Sequence, residues 1–325
     1  GISLFTGFAE SDNIFLPSLK GQQPVHVLNF ALNITKGHRL AWQNRKAACF
    51  SASPYGVGSF LQDPETMVEL GYRRPEHYTD GGLSLGTAVA VSGAAASPNM
   101  GFHTSTVLSF LLTFFNLRLG AWFPNPSSSR QEIFAKNGPG TPDVVLKELL
   151  GMTHERSDWI YLSDGGHFEN LALYEMIKRR CRLIVLSDAG ADPNYSYEDL
   201  GNAVHKARVD MNVSIEFAGE RQLGDACRAQ HWSLLRVRYP DQTAGLILYL
   251  KPAISPELSA DVLSYSAANR EFPQQTTGDQ FFDEGQFEAY RRLGEQTVEM
   301  IGRGCPEGDL EALFEWASEK FPRSS

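Results

Sequence analysis

The segment YLSDGGHFENLALYEM, residues 161–176, holds the densest set of side chains able to do chemistry. Asp164 is followed by Gly165 and Gly166, then by His167, Glu169 and Asn170. A carboxylate at the end of an apolar run can serve as a general base. Two glycines after it admit backbone angles closed to other residues and let a substrate come close. Metal-dependent hydrolysis is a second chemistry open to the same region, because Asp164, His167, Glu169, Asp188 and Asp192 are donors of the kind that hold zinc or iron. By spacing alone, an Asp that starts a helix beside a flexible turn accounts for the motif equally well.

Three elements must position Asp164. DWIYLS (158–163) predicts a strand, ENLALYEMIKRR (169–180) a helix with Leu171, Tyr174 and Ile177 on one face, and RLIVLS (182–187) a continuous apolar strand. Together they predict a parallel, right-handed βαβ unit in which Asp164 and Asp188 both stand just past strand C-termini, the edge where open α/β sheets bind ligands.

Upstream, VHVLNFALNI (25–34) alternates, with Leu28, Phe30, Leu32 and Ile34 on one side, and predicts a strand with one buried face. Residues 53–80, rich in Pro, Gly, Tyr and charge, read as an irregular excursion. There Tyr72, Arg73 and Arg74 are either solvated charge or contacts to a head group. LSLGTAVAVSGAAASP (83–98) predicts a closely packed helix stopped at Ser97-Pro98. TVLSFLLTFFNLRLGAWF (106–123) is interrupted by Asn116 and Arg118, and falls short of the roughly 20 clean apolar residues a membrane span needs. It reads as a core helix, or as one lying at a lipid interface with Trp122 and Phe123 at its end. Residues 127–142 read as a loop or insertion. Downstream come a capped helix starting near Ser196, a strand at 213–217, an antiparallel edge hairpin around PDQTAG (240–245), and helices at 283–303 and 306–321.

Composition excludes several classes. At 42% hydrophobic and 21% charged residues the chain is neither disordered nor coiled coil. A net charge of -9, from 29 basic against 38 acidic side chains and with no basic stripe, argues against a nucleic-acid partner. Cys49, Cys181, Cys227 and Cys305 form no CxxC pair, which leaves reduced thiols as the expectation. No phosphate-binding, dinucleotide or EF-hand loop occurs, and no cofactor is expected. GISLFTGFAE is not a signal peptide, and a start at Gly1 in place of Met reads as a cut from a longer chain.

With GTAVAVSGAAASPNMGFHT (86–104) ahead of it and CRLIVLSDAGADP (181–193) behind, the central segment resembles the patatin-like and cytosolic phospholipase superfamily, most nearly the large bacterial patatin-like proteins. In that family a small-residue block precedes the strand that delivers Asp-Gly-Gly, and Val91-Ser92-Gly93-Ala94-Ala95 through Pro98 holds that place here. TTGDQFFDEGQFEAYRRLGE (276–295) is similar to the tail of the same group. The resemblance implies an α/β fold with a mostly parallel central sheet flanked by helices, an antiparallel edge hairpin and a helical C-terminal tail. Residues 1–252 would be the C-terminal portion of a catalytic domain and residues 253–325 a helical extension.

The activity implied is lipid acyl-ester hydrolysis, of phospholipid or lysophospholipid type, by a Ser–Asp dyad without a catalytic His. Asp164 carries over as the general base, partly desolvated. Gly165 and Gly166 form its turn, while Asp188, Asn170 and His103 are supporting positions. Asp188 is expected to brace the Asp164 turn, and His103 reads as a hydrogen-bonded structural residue. Asn170 departs from the family pattern, since Leu171-Ala172 follows it where many members have Asn-Pro.

Gly-x-Ser-x-Gly, the spacing of the family's nucleophile elbow, occurs once, at Gly82-Leu83-Ser84-Leu85-Gly86, where no strand is read ahead of it and where Ser84 falls in the segment read as a closely packed helix. Ser92 lacks the preceding glycine and falls on the packing block, which makes it a weak candidate nucleophile. The expectation is that an upstream segment carries the serine and that residues 1–325 alone are inactive. Membrane contact would run through residues 106–123, in the cytoplasm or at the inner face of a membrane. A non-catalytic lipid-binding or interaction module of the same fold remains the alternative.

Overall fold

The strand read from residues 25–34 forms, and it is an interior strand of a six-stranded sheet. The computed structural model describes residues 14–34, 45–62, 69–79, 82–93, 120–130, 133, 158–219, 231–276, 282–305 and 308–320. It divides into two units, Gly1–Glu175 and Met176–Ser325, each with its own sheet.

The first unit contains β1 (Leu28–Asn33), β2 (Ala47–Ala52), β3 (Val57–Gln62), β4 (Glu69–Arg73), the helix α1 (Leu85–Ser92), β5 (Ala121–Pro124) and β6 (Trp159–Asp164). Its sheet runs β4-β3-β2-β1-β6-β5, with every neighbouring pair antiparallel. Leu28, Phe30, Leu32 and Ile34 share one core with Ala48, Phe50, Ile160 and Leu162, which is the alternation the sequence shows. Helix α1 covers this face through Ala88 and Val91, and Ser84 caps its first turn by accepting from the Thr87 N–H at 3.1 Å. Full burial of side chains such as Phe30 and Leu32 contributes about 1.5–3 kcal/mol each. The opposite face is smaller and more polar, with Ala31, Ala47 and Cys49 packed under Phe168 and Tyr174.

The second unit begins inside α2 (Leu173–Lys178) and continues through β7 (Leu183–Ser187), α3 (Glu198–Met211), β8 (Ser214–Phe217), β9 (Trp232–Arg238), β10 (Ala244–Leu250), α4 (Ala260–Ala268), α5 (Glu284–Gly304) and α6 (Leu310–Lys320). Its sheet runs β7-β10-β9-β8, and only β7–β10 is parallel. The C-terminal helices belong to this core: Ile301, Phe314 and Ala317 pack with Trp232, Leu234 and Leu248.

Several expectations are corrected. The chain is mixed α/β, but the first sheet is antiparallel, not mostly parallel, and β6 and β7 pair in different sheets. Hence the βαβ unit does not form. The apolar run of β6 reflects burial on both faces, which is common to parallel strands and to covered antiparallel ones. The hairpin β9–β10 occupies the middle of its sheet, with β7 and β8 at the edges. Residues 53–80 are not wholly irregular, since β3 and β4 arise there as outer strands, where Gly, Tyr and charge are tolerated. Trp122 and Phe123 end no helix. They sit in β5 opposite Tyr161 and Ile160, and residues 106–119 lie outside the described residues. Among the described residues no helix is long and apolar enough to cross a membrane.

The second unit also carries a buried histidine that makes its stability depend on pH. His231 is 1% exposed, and its Nε2 has no hydrogen-bond partner among the described residues. Burial lowers its proton affinity below the ordinary 6.5, against the opposing charge of Glu257. Below that ordinary value the unfolded chain binds a proton that the folded chain resists. Stability is therefore full above about pH 6.5 and falls as the pH drops toward the folded value. Urea midpoints of the wild type are expected to fall between about pH 7.5 and 5.5 more than those of His231→Gln. Equal slopes would show that His231 is not the group responsible.

Candidate active site

Asp164 is the last residue of β6 and stands opposite Phe30 of β1. Alternation from Ile160 and Leu162 puts it on the face that α1 covers. Immediately after it the chain turns through a single 3-10 turn, Gly165–His167. The Asp164 carboxylate closes that turn, its Oδ1 accepting from the Gly166 N–H at 2.7 Å. The Gly165 carbonyl accepts from the N–H groups of Phe168 at 3.0 Å and Glu169 at 2.9 Å, which completes the corner. Asp164 itself is half-buried.

Gly165 is needed for space, since a Cβ there would lie 2.7 Å from the Asn29 carbonyl oxygen, whereas one on Gly166 would meet the end of the exposed Asn170 side chain, which can turn aside. Neither residue has a positive φ, so the left-handed angles expected from the motif are not the reason for the glycines. Any side chain at residue 165 would push the turn away from β1 and carry Asp164 with it. Asn170, exposed, lies over Gly166 at the mouth of the same turn.

Ser92, at the end of α1, donates from Oγ to the Asn29 carbonyl at 2.7 Å, the same oxygen against which Gly165 is packed. The hydroxyl is therefore tied to backbone, as a packing residue would be. His103 lies outside the described residues, as do Ala94, Ala95 and Pro98.

Behind the turn, on the opposite face of β6, Ser163 is fully buried. Its Oγ lies 2.7 Å from Asn33 Nδ2 and 3.0 Å from His167 Nδ1. Glu169, also buried, accepts from the N–H groups of Leu171 and Tyr174 and so fixes the start of α2. Glu175 accepts from Ser51 Oγ at 3.0 Å and Cys49 Sγ at 3.6 Å, which pins α2 to β2. Tyr72 OH meets Ser51 Oγ at 3.1 Å, and Arg73 donates to the His77 carbonyl, so both are engaged within the fold. None of the residues Asn29, Asn33 and Ser163 stood out in the sequence. Asn29 and Asn33 on one face of an otherwise apolar strand were the available signal.

Asp188 and Asp192 are in the second unit. Asp188 is fully buried and accepts from Lys251 Nζ at 3.0 Å, Tyr249 OH at 2.5 Å and the Gly190 N–H at 3.1 Å. Lys251 also donates to the Gly190 carbonyl at 3.0 Å. Burial pushes the Asp192 carboxyl up, but the N–H groups of Tyr197 and Ser196, the Ser196 hydroxyl and the Lys251 charge outweigh it and hold the group below the ordinary value. That loop displaces the helix start expected near Ser196 to Glu198. Of the five metal donors considered from the sequence, Glu169, Asp188 and Asp192 thus spend their carboxylates on the protein's own donors. Among the described residues no group of three or more His, Cys, Asp or Glu is placed to hold a metal ion.

No family model matches the chain, and no curated protein matches it significantly. Among solved structures it is similar to human GIVD cytosolic phospholipase A2, at 15% identity and a TM-score of 0.52, over 94% of this chain and 47% of that one. The chain therefore spans about half the length of that enzyme's chain. At this identity the likeness establishes a phospholipase-like fold.

Proposed function

We propose that residues 1–325 supply the aspartate half of a Ser–Asp dyad that hydrolyses lipid acyl esters of phospholipid or lysophospholipid type, the serine coming from a segment of the full-length protein outside this chain. The observation that carries the reading is Asp164: a half-buried carboxylate at a strand end, in an Asp-Gly-Gly turn whose first glycine is packed against the Asn29 carbonyl, within a phospholipase-like fold. The turn holds Oδ1 on the Gly166 N–H, and Oδ2 takes no part in that bond.

In this mechanism Asp164 accepts the proton of the serine hydroxyl as its oxygen bonds to the ester carbonyl carbon. The proton then passes to the leaving alcohol oxygen as the C–O bond breaks, which leaves an acyl-serine. Water repeats the sequence: Asp164 takes its proton, the hydroxyl oxygen bonds to the acyl carbon, and the proton returns to the serine as the fatty acid departs. Lipid is reached at an interface by local contacts, since a net charge of -9 gives no general attraction to anionic lipid.

Residues 1–325 expressed alone are expected to show neither ester turnover nor labelling by a fluorophosphonate, a reagent that reports an activated serine. A stoichiometric adduct on Ser84, whose hydroxyl is bonded to Thr87 at the start of α1, or on Ser92 would overturn the division of the dyad.

A further inference from the structure

The chain Asn33–Ser163–His167, buried at its first two members and half-buried at His167, runs directly behind Asp164, and the roles of its donors and acceptors can be assigned from geometry. Asn33 Nδ2 lies 3.3 Å from the Ala31 carbonyl, which can only accept, so the amide is oriented with its NH2 toward both Ala31 and Ser163. Ser163 Oγ therefore accepts from Asn33. Ser163 is 0% exposed, and among the described residues its own hydroxyl proton has one acceptor in reach, His167 Nδ1 at 3.0 Å. Were Nδ1 protonated, Ser163 Oγ would face two donors and its proton would be buried without a partner, the costly case for a polar group.

We propose that this relay holds His167 as the Nε2–H tautomer and makes it a positioning residue of the Asp164 site. His167 ends the 3-10 turn that Asp164 begins, so the turn is closed at one end by the Asp164 carboxylate on Gly166 and at the other by His167 on Ser163. Through Asn33 the second closure anchors the turn to β1, the strand whose Asn29 carbonyl already abuts Gly165. Loss of the Nδ1 acceptor frees the C-terminal half of the turn, and with it the direction of the Asp164 side chain.

The inference rests on Asp164 being the base, and the experiment separates the two. In the full-length protein His167→Leu is expected to lower kcat about tenfold to a hundredfold with KM nearly unchanged, the scale of a catalytic group misplaced by about 1 Å. His167→Asn, whose Oδ1 stands where Nδ1 was, is expected to restore most of the loss. Ser163→Ala should match His167→Leu, and the double variant should add little further. Nitrogen NMR of labelled histidine in the full-length wild type should show His167 with an unprotonated Nδ1. A protonated Nδ1, or an Asn variant as impaired as the Leu variant, overturns the relay. An unprotonated Nδ1 in a protein whose Asp164→Asn variant is fully active keeps the tautomer assignment and overturns the link to catalysis.

Discussion

Asp164→Asn in the full-length protein is expected to lower ester turnover by about 10²–10⁴-fold, the usual contribution of a positioned general base. The substitution is informative because it preserves the turn. Asn is isosteric, its amide oxygen can still accept from the Gly166 N–H, and Asn and Asp are nearly equal as caps. What it loses is the ability to take up the serine proton. Urea unfolding of the variant should therefore match the wild type within about 1 kcal/mol, while turnover collapses. A variant that retains more than half of the wild-type rate would remove Asp164 from the mechanism. A variant that fails through unfolding would point to the cap and not the base.

Lys251→Met is expected to cost the second unit about 3–5 kcal/mol, the scale of a broken buried ion pair. Lys251 and Asp188 are 2% and 1% exposed at their side chains, with a 3.0 Å contact. Removal of the ammonium leaves the Asp188 carboxylate buried with Tyr249 and Gly190 as its partners among the described residues, and takes the Lys251 donor from the Gly190 carbonyl as well. The penalty is that of an unpaired buried charge, so Asp188→Leu in the Lys251→Met background should recover part of it. Urea unfolding followed by fluorescence of Trp232, Trp316 and the other tryptophans checks both. A loss below about 1 kcal/mol for Lys251→Met would show that the pair is solvated or replaceable.

Local patterns in the sequence made some of this visible. The alternation of residues 25–34 and the apolar run ending at Asp164 placed β1 and β6, because each side chain there is sorted by its own strand. The Asp-Gly-Gly turn was legible for the same reason, although its first glycine answers to the Asn29 carbonyl, and not to backbone angle. Strand direction was not legible, since a strand buried on both faces looks alike whichever way its neighbour runs. The outer strands β3 and β4, of which β4 is at the sheet edge, were hidden by Gly, Tyr and charge, which blur the alternation that marks a strand. Asn33 and Ser163 are 130 residues apart and Asp188 and Lys251 are 63 apart, so no window along the chain could reveal either pair. Asn33 and Ser163 lie in strands and Asp188 and Lys251 just past strand ends, and the fold alone decides which such groups meet.

The most direct measurement is to map the fluorophosphonate adduct of the full-length protein by peptide mass spectrometry, in the wild type and in Asp164→Asn. The account requires a single adduct on a serine outside residues 1–325, formed by the wild type and lost in the variant. An adduct on Ser84 or Ser92, or ester hydrolysis that forms no adduct and is abolished by a chelator, would contradict it.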